Sequence, residues 1–550
     1  ERYFQRYMAA IDAVGNAAPP FTATNVDAIF ERPSISVKLS ALHPRFEPGK
    51  EHRLHAELAP RLLTLARAAR AKGLGLTIDA EEQDRLDITA GMFGEMLVNP
   101  QLDNWNGLGL AVQAYGKRAI PLIRWLRRLS EQTGKRIPVR LVKGAYWDSE
   151  IKWAQERGLE DYPVFSRKLH TDVSYLAAMR LLISEPVAFY PQFATHNAHS
   201  IASASVAGGA IEFEYQRLHG MGEALYEQIV GVGQFGRPCR IYAPVGGHED
   251  LLGYLVRRLL ENGANTSFVN RLGDDETSVS DIIADPVEIA DREYTSGDRP
   301  VLLTRPRDIY LPERKNSAGL PLVEASVRNS LLADIGKVLK TPFAAGPIVN
   351  GTATTAGDAA AFAVSPHDHR ERIGSVRLAT PQNLEDAITS ARNAFVRWER
   401  TDAAERARIL ETAADLFERD RATLLAALIR EAGKTLDAAQ AELREAVDYL
   451  RYYAVEARRL FSNAIRLRGP TGEDNTLTLR GRGPFACISP WNFPIAIFTG
   501  QIAAALAAGN SVIAKPAEQT PIAGYLVVKL LHEAGIPRDV LHLVTGGGKL

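Results

Sequence analysis

The sequence contains very few cysteines. Cys239 and Cys487 are the two cysteines among 550 residues, too few for a disulfide framework and typical of a reducing compartment. No apolar run approaches the roughly 20 residues that a membrane-spanning helix needs, and the first residues show no signal-peptide pattern. These absences argue against a disulfide-stapled secreted protein and predict a cytoplasmic one.

The sequence also lacks an excess of charge of either sign. Lys plus Arg equals Asp plus Glu at 65 each, so no global field favours nucleic acid or an anionic membrane. With 46% hydrophobic and 24% charged residues, the chain has the composition of a globular protein. Any anion site must therefore be local.

Neither end of the sequence looks like a natural terminus. Glu1 falls inside a predicted helix over 1–14, and the last residues, V-T-G-G-G-K-L, stop just after a predicted strand. We therefore expect an internal portion of a longer protein.

The pattern of residues 34–270 alternates short apolar strands with amphipathic helices such as 55–71 and 120–132. Repeated βα units of this spacing favour a (β/α)8 barrel over an open doubly wound sheet. The predicted strands are 34–39, 75–80, 108–113, 138–142, 189–194, 211–215, 240–243 and, weakly, 267–270.

Polar side chains stand at or just after the carboxyl ends of these predicted strands. They are Lys38, Asp79, Gln113, Arg140, Lys143, His196, Gln216 and Tyr242. Taken singly, Asp79 could cap a helix, His196 could be a satisfied core histidine and Gln216 a turn residue. In a barrel the strand ends converge on one mouth, so the shared position predicts a single site.

Two cations in the stretch I-P-V-R-L-V-K at 137–143 need compensation. Arg140 lies within the predicted strand and Lys143 at its end. Because a buried unpaired cation is costly, these residues face either an anion or cofactor, or paired carboxylates. The stretch alone leaves both possibilities open.

A second pair of cations, Arg257 and Arg258, is adjacent on a predicted helix over 251–263. Adjacent arginines on a helix more often indicate a solvated basic face than a ligand site.

The chain divides into four predicted regions: a helical lead-in (1–33), the barrel (34–271), a linker (272–341) and a second module (342–550). Scattered prolines and polar clusters predict extended linking structure in the third region.

In the second module, G-P-F-A-C-I-S-P-W-N-F-P at 483–494 precedes a helix and then G-N-S-V-I-A-K-P-A-E-Q-T-P at 509–521. A strand whose end opens a helix is how a dinucleotide fold presents backbone donors, although G-x-G-x-x-G is absent.

Several barrel motifs resemble those of a known family. They are I-S-V-K-L-S-A-L (35–42), T-I-D-A-E-E (77–82), V-R-L-V-K-G-A-Y-W-D (139–148), F-A-T-H-N (193–197), L-H-G-M-G (218–222), R-I-Y-A-P-V-G (240–246) and Y-L-V-R-R-L-L-E-N-G-A-N-T-S-F (254–268). Together they resemble the proline dehydrogenase domain of the bacterial proline utilization A family, in order and over 34–271. The resemblance implies a barrel that binds FAD and oxidises L-proline to 1-pyrroline-5-carboxylate.

The resemblance also implies roles for matching positions. Arg140 would lie by the flavin N5 region and Gln113 by its pyrimidine edge. The remaining FAD contacts would be Lys143, Gly144, Ala145, Trp147, Thr195, His196, Gln216, Thr266, Ser267 and Phe268. Lys38, Arg257 and Arg258 would clamp the substrate carboxylate. Tyr242 and Leu218 would contact the proline ring, and Asp79 and Glu261 would orient the cations.

The second module resembles the amino-terminal half of the aldehyde dehydrogenase superfamily, an incomplete Rossmann-type α/β domain. The resemblance implies NAD contacts at Ser489, Pro490, Trp491, Lys515 and Glu518 and an oxyanion donor at the amide of Asn492. Surface Lys-Glu pairing and a turn Asn are the alternatives. Aldehyde oxidation needs a thiolate nucleophile, which neither cysteine provides at its position, so we expect no aldehyde oxidation by this chain alone.

For the intact protein, the resemblance implies NAD-dependent oxidation of glutamate semialdehyde to L-glutamate, with channelling between the sites. Its electron acceptor would be a membrane quinone, implying peripheral contact at the inner membrane face. A different hypothesis is proline-responsive transcriptional repression through a DNA-binding segment that these residues do not contain, and neutral charge gives it no support. A third is a non-catalytic barrel scaffold. Oligomeric state stays open, with a homo-oligomer as one option.

The role implied for Arg140 predicts the effect of its removal. A cation beside the flavin favours the reduced, anionic form, so Arg140→Met should lower turnover and shift the flavin reduction potential downward. Spectroscopic redox titration of the variant and its parent measures this shift. An unchanged potential contradicts the assigned role.

Overall fold

The computed structural model describes residues 1–21, 25–230, 236–247, 251–252, 254, 256, 280, 283–296, 302–355 and 361–548. They form two compact units, residues 1–154 with 162–303 and residues 155–161 with 304–550. Within these described ranges, no helix is both long enough and apolar enough to cross a membrane.

The first unit is built on a parallel sheet in which consecutive strands pair. Its strands, in spatial order, are β1 (Ser34–Val37), β2 (Gly75–Ile78), β3 (Leu108–Gln113), β4 (Ile137–Val142), β5 (Phe189–Ala194), β6 (Glu214–Leu218) and β7 (Cys239–Tyr242). This order and direction confirm the predicted α/β class. The predicted eighth strand, 267–270, lies outside the described residues.

The sixth strand begins three residues later than the sequence predicts. The prediction is 211–215, and the strand is Glu214–Leu218. The amide of Ile211 donates instead to the carbonyl of Gly208, closing the turn after the preceding helix. The strand continues through the polar residues Gln216 and Arg217 because β7 pairs with them. The apolar residues that suggested a strand belong partly to the turn, and hydrogen bonding to β7 determines where the strand lies.

Helices connect these strands, and their apolar faces cover the sheet. They are α1 (Arg2–Ala17), α2 (Leu39–Leu42), α3 (Glu51–Arg53), α4 (Ala59–Ala71), α5 (Leu86–Leu97), α6 (Ala119–Thr133), α7 (Trp147–Glu156), α8 (Lys168–Ile183), α9 (Ala198–Gly208), α10 (Glu223–Glu227) and α11 (Pro286–Thr295). Helix α6 buries Ile123 and Leu126 and ends at Gly134, whose φ of 67° suits a left-handed cap. Ile11 of α1 belongs to the same core as the strands.

The expectation of extended structure throughout 272–341 was wrong at two helices. Helix α11 begins with Pro286 and is capped by the side chain of Asp285. Helix α12 (Ala325–Val338) buries Leu331 and Ile335 in the core of the second unit. Proline therefore marks the first turn of α11 rather than a linker.

The sheet curls so that β7 approaches the segment before β1. Arg240 of β7 donates to the carbonyl oxygens of Arg32 at 2.6 Å and Phe30 at 2.7 Å. The same guanidinium binds both oxygens of Glu214, each at 2.8 Å. Glu214 is 2% exposed, so Arg240 both compensates a buried carboxylate and joins the two edges of the sheet.

The strands of the second unit are β8 (Phe343–Ala345), β9 (Ile348–Val349), β10 (Thr352–Ala353), β11 (Ala361–Val364), β12 (Arg372–Val376), β13 (Ile465–Leu467), β14 (Asn475–Leu477), β15 (Phe485–Ile488), β16 (Val512–Lys515) and β17 (Leu541–Leu543). They form a mixed sheet with order β10-β9-β17-β16-β15 and two smaller sheets, β11-β12-β8 and β13-β14. Its remaining helices are α13 (Pro381–Glu399), α14 (Ala403–Arg419), α15 (Arg421–Arg430), α16 (Leu436–Phe461), α17 (Ala496–Ala507) and α18 (Pro521–Glu533). The parallel run β15-α17-β16-α18-β17 is the Rossmann-type arrangement that the sequence predicted.

Loss of the Arg240 side chain should destabilise the first unit. Arg240→Met leaves Glu214 without its counter-charge, and breaking such a pair costs about 3–5 kcal/mol. Chemical denaturation followed by circular dichroism measures the loss of unfolding free energy.

Two variants control for this effect. Arg67→Met on the exposed face of α4 should change stability little. The double variant Arg240→Met with Glu214→Met should recover part of the loss, because it removes the uncompensated charge. Equal losses for Arg240→Met and Arg67→Met would contradict the closing role of Arg240.

Candidate functional site

Arg140 of β4 lies at the centre of the cluster at the carboxyl end of the first sheet. Its Nη1 donates to Asp79 at 2.5 Å, its Nη2 to the hydroxyl of Ser36 at 2.8 Å, and its Nε to the Oε1 of Gln216 at 2.7 Å. Its Cζ lies 5.2 Å from the ring centroid of Tyr242. Residues in or directly after four other strands therefore surround one buried guanidinium, which carries further N–H donors beyond these three bonds.

Lys38 follows β1 on the same side of the sheet. Its Nζ donates to the hydroxyl of Tyr146 at 2.9 Å, and its backbone amide donates to the hydroxyl of Tyr7 at 3.1 Å. Burial disfavours the charged ammonium, but Tyr146, Asp79 and Glu81 outweigh burial, so the pKa of Lys38 is raised. Lys38 is thus a cation at neutral pH.

Tyr242 completes this cluster from β7. Its hydroxyl lies 3.4 Å from the second oxygen of Asp79. The negative charge of Asp79, with burial second, raises the pKa of Tyr242, so the phenol stays neutral. Leu218 is its partner in the β6-β7 ladder.

Lys143 has a carboxylate partner of its own. Its Nζ donates to Asp172 of α8, which also accepts from Lys168 at 2.9 Å. Burial lowers the pKa of Lys143, and the attraction of Asp172 opposes this shift. Both cations of the 137–143 stretch therefore have a carboxylate partner in the structure: Asp79 for Arg140 and Asp172 for Lys143.

The backbone after Lys143 has a conformation that requires glycine. Gly144 has a φ of +141°, and a Cβ at this position would lie 2.4 Å from the ring of Tyr115. Ala145 follows at an exposed bend, and Trp147 begins α7, where its indole donates to the carbonyl of Phe165 at 2.9 Å.

The other predicted contacts of the barrel make bonds within the protein. Gln113 donates to the carbonyl of Glu81 at 2.8 Å. His196 accepts from the amide of Leu218 at 3.2 Å, which assigns its Nε2 as an unprotonated acceptor. The carbonyl of Thr195 accepts from Tyr226 at 2.7 Å. Their assignment to a cofactor stays a prediction. Arg257, Arg258, Glu261, Thr266, Ser267 and Phe268 lie outside the described residues.

The predicted residues of the second unit lie at the carboxyl ends of β15 and β16. The amide of Ser489 donates to the carbonyl of Lys515 at 3.2 Å. Glu518 is exposed on the following turn, as are Pro490, Trp491 and Asn492 on theirs. Below this second turn, Glu442 accepts from the amides of Ile495 at 2.8 Å and Ala496 at 3.2 Å and pairs with Lys434 at 2.6 Å. The turn that carries Asn492 is therefore anchored by a buried ion pair.

Sequence reasoning missed several residues that organise the first cluster. They are Tyr7, Ser36, Tyr146, Asp172, Gln192 and Glu214. Ser36 could have been found from its position two residues before Lys38, which puts both on the same face of the strand. Glu214 and Gln216 alternate with the aromatic residues Phe213 and Tyr215, and this alternation likewise indicates that Glu214 and Gln216 lie on one face of the strand.

Neither cysteine is an activated thiol. Burial raises the pKa of Cys239 to about 11 and that of Cys487 to about 11. Cys487 lies within β15 and is 5% exposed. A nucleophilic cysteine needs a lowered pKa and access, so both lack these properties.

Family models match both parts of the chain. Residues 1–271 match the model of proline dehydrogenase, and residues 354–550 match the aldehyde dehydrogenase family. These two families generally use FAD and NAD.

Curated relatives and solved structures align with the whole chain. The "Bifunctional protein PutA" of Klebsiella aerogenes is 47% identical over 565 residues, and that of Rhizobium meliloti is 44% identical over 560. Each alignment covers 100% of this chain but 41% and 43% of the relative, so the chain spans less than half the length of these relatives. A crystal structure of Bradyrhizobium japonicum proline utilization A, mutant D779W, superposes with a TM-score of 0.88 at 46% identity, covering 100% of this chain and 52% of that one.

The raised thiol pKa values predict slow reaction with thiol reagents. At pH 8 a thiol with pKa about 11 carries roughly 200-fold less thiolate than an unperturbed one. Ellman's reagent should modify the native protein correspondingly slowly, and its rate should rise as the pH approaches 11. The same chain in urea is the control and should react quickly. A native thiol that reacts as fast as the unfolded chain would contradict the burial of both groups.

Proposed function

Since the chain belongs to the bifunctional PutA family, with a proline dehydrogenase domain followed by part of an aldehyde dehydrogenase domain, we propose that its first unit oxidises L-proline to 1-pyrroline-5-carboxylate with bound FAD. The observation that supports this proposal is the convergence of Lys38, Asp79, Arg140 and Tyr242 at one end of a parallel sheet. The neighbouring loops of such sheets are where ligands bind.

The residues present fit an anionic, planar cofactor. Arg140 is a rigid buried cation, and Lys143 is a second cation directly after the same strand. Between Lys143 and the following helix, Gly144 lets the backbone turn against the ring of Tyr115, which positions Lys143 at the end of the strand. When bound, FAD supplies the two-electron oxidising capacity that amino-acid side chains lack.

The substrate is held by charge and shape rather than by an acid or base. Lys38 carries a positive charge for the carboxylate of proline, its bond to Tyr146 limits its movement, and the charge of Asp79 keeps it protonated. The Tyr242 ring offers a flat apolar surface to the pyrrolidine ring. Fixing the ring in contact with the cofactor lowers the entropic part of the barrier. Arg257, Arg258 and Glu261 are proposed to complete this clamp.

We propose that the second unit binds NAD through Lys515 and Glu518, with Ser489, Pro490 and Trp491 along the dinucleotide. Asn492 is proposed to donate to the oxygen of the aldehyde substrate, glutamate semialdehyde, in the whole protein. Neither Cys239 nor Cys487, whose thiols have raised pKa values, supplies the nucleophile. Proline catabolism by the whole protein would then pass electrons to a membrane quinone from a cytoplasmic location at the inner membrane face, and a homo-oligomer is the proposed assembly. These last points depend on the family alone.

The proposed activity predicts a simple spectroscopic result. The purified protein should be yellow, with a visible flavin band that bleaches when L-proline is added without oxygen. Lys38→Met should keep the flavin band and require a higher proline concentration for bleaching, because one contact to the carboxylate is lost. Pyrrolidine, which has no carboxylate, serves as the matched ligand control and should respond equally in both proteins. A colourless parent protein would instead support a non-catalytic scaffold.

A further inference from the structure

The interior of the first sheet contains a continuous row of polar side chains below the cluster around Arg140. Gln192 of β5 is 5% exposed, Glu214 is 2% exposed and Gln216 is 3% exposed. Barrel interiors are usually filled by branched apolar residues. A polar row in this position needs a reason beyond packing, because every buried polar group must be hydrogen-bonded.

Glu214 is the hub of this row. Its Oε1 accepts from Gln192 at 2.9 Å, from Gln216 at 2.7 Å and from the Nε of Arg240 at 2.8 Å. Its Oε2 accepts from a second nitrogen of Arg240 at 2.8 Å. The carboxylate can accept only, so each neighbour must turn a donor toward it.

This requirement fixes the orientation of the Gln216 amide. Its NH2 group must face Glu214, so its oxygen faces away and accepts from the Nε of Arg140 at 2.7 Å. A reversed amide would place its oxygen against the carboxylate and its NH2 against the guanidinium, which is unfavourable at both ends. The orientation therefore follows from the chemistry of Glu214.

We infer that Glu214 is a positioning residue for Arg140 and acts through Gln216. Resting on the proposed flavin site, this inference makes Gln216 a relay that holds the guanidinium rather than a contact of the cofactor. Asp79 and Ser36 hold the Nη atoms of Arg140 from β2 and β1, and the relay fixes Nε from β6. Without it, the guanidinium can rotate away from the position that stabilises the reduced flavin.

The flavin reduction potential tests the relay in the full chain. Gln216→Met removes the amide, keeps the charge and keeps the Glu214–Arg240 pair. We expect its flavin to be harder to reduce by about tenfold in the reduction equilibrium constant, which is about 30 mV for a two-electron couple. In the Arg140→Met background, Gln216→Met should add no further shift, because the group that it positions is gone.

Gln192→Met is the matched control. Gln192 donates to the same oxygen of Glu214 and lies equally deep, but within the described residues its side chain makes no hydrogen bond to the guanidinium of Arg140. A loss of packing alone would affect both glutamine variants. The relay predicts a shifted potential for Gln216→Met and an unchanged one for Gln192→Met.

Glu214→Gln decides the question if Gln216→Met does not fold. Removing a negative charge makes the flavin easier to reduce through space in both the parent and the Arg140→Met backgrounds, whereas loss of the relay makes it harder to reduce only where Arg140 is present. A more negative change in potential in the parent than in the Arg140→Met background therefore supports the inference, and equal changes in the two backgrounds overturn it.

The remaining outcomes are also decisive. Equal shifts for Gln216→Met in the parent and Arg140→Met backgrounds would show direct contact of Gln216 with the flavin and overturn the relay, as would no shift in either. A parent protein that binds no flavin would contradict the proposed function instead, so the two failures are distinguishable.

Discussion

A positive charge buried inside a parallel sheet is the constraint on which the first unit depends. Arg140 is 7% exposed, and a guanidinium at this depth is tolerated only when its N–H groups are bonded and its charge is balanced. Asp79 supplies the charge, and Ser36 and Gln216 supply acceptors. Because these partners come from separate strands, the position of one cation fixes the curvature of the sheet around it.

The second unit also contains buried charged residues, and here they are glutamates that accept hydrogen bonds from the first amides of two helices. Glu442 accepts two backbone amides at the start of α17, and Glu431 accepts those of Ile522 and Ala523, each at 2.8 Å, at the start of α18. Glu442 has Lys434 as a counter-ion. Burial raises the pKa of Glu431 to about 8, against the opposing effect of its amide donors. Both carboxylates satisfy the first amides of helices that follow parallel strands.

Much of the fold could be predicted because hydrophobic periodicity and strand composition indicate where its helices and strands lie. The first five strands and amphipathic helices such as α6 follow from apolar patterning, which is a local property of the sequence. The start of β6 could not, since Ile211 and Phe213 look like strand residues but serve the turn and the core beside it. Likewise, the prolines near α11 and α12 read as breakers, although proline at a first helical position is compatible with a helix.

The candidate site was predicted in part, for a physical reason. Lys38, Asp79, Arg140 and Tyr242 lie in or directly after β1, β2, β4 and β7 of one parallel sheet, so topology brings them together. What the sequence left open was whether Arg140 and Lys143 faced ligands or carboxylates, because Asp172 comes from a distant helix and Asp79 from two strands away. Such pairings depend on side-chain reach across the sheet, which spacing along the chain does not encode.

The inert state of Cys239 and Cys487 has a practical consequence. With both native thiols protonated near neutral pH and shielded to differing degrees, a cysteine introduced at an exposed position would far outcompete them for maleimide or iodoacetamide. Fluorophores or spin labels could then be attached at one chosen place without first replacing either native sulfhydryl.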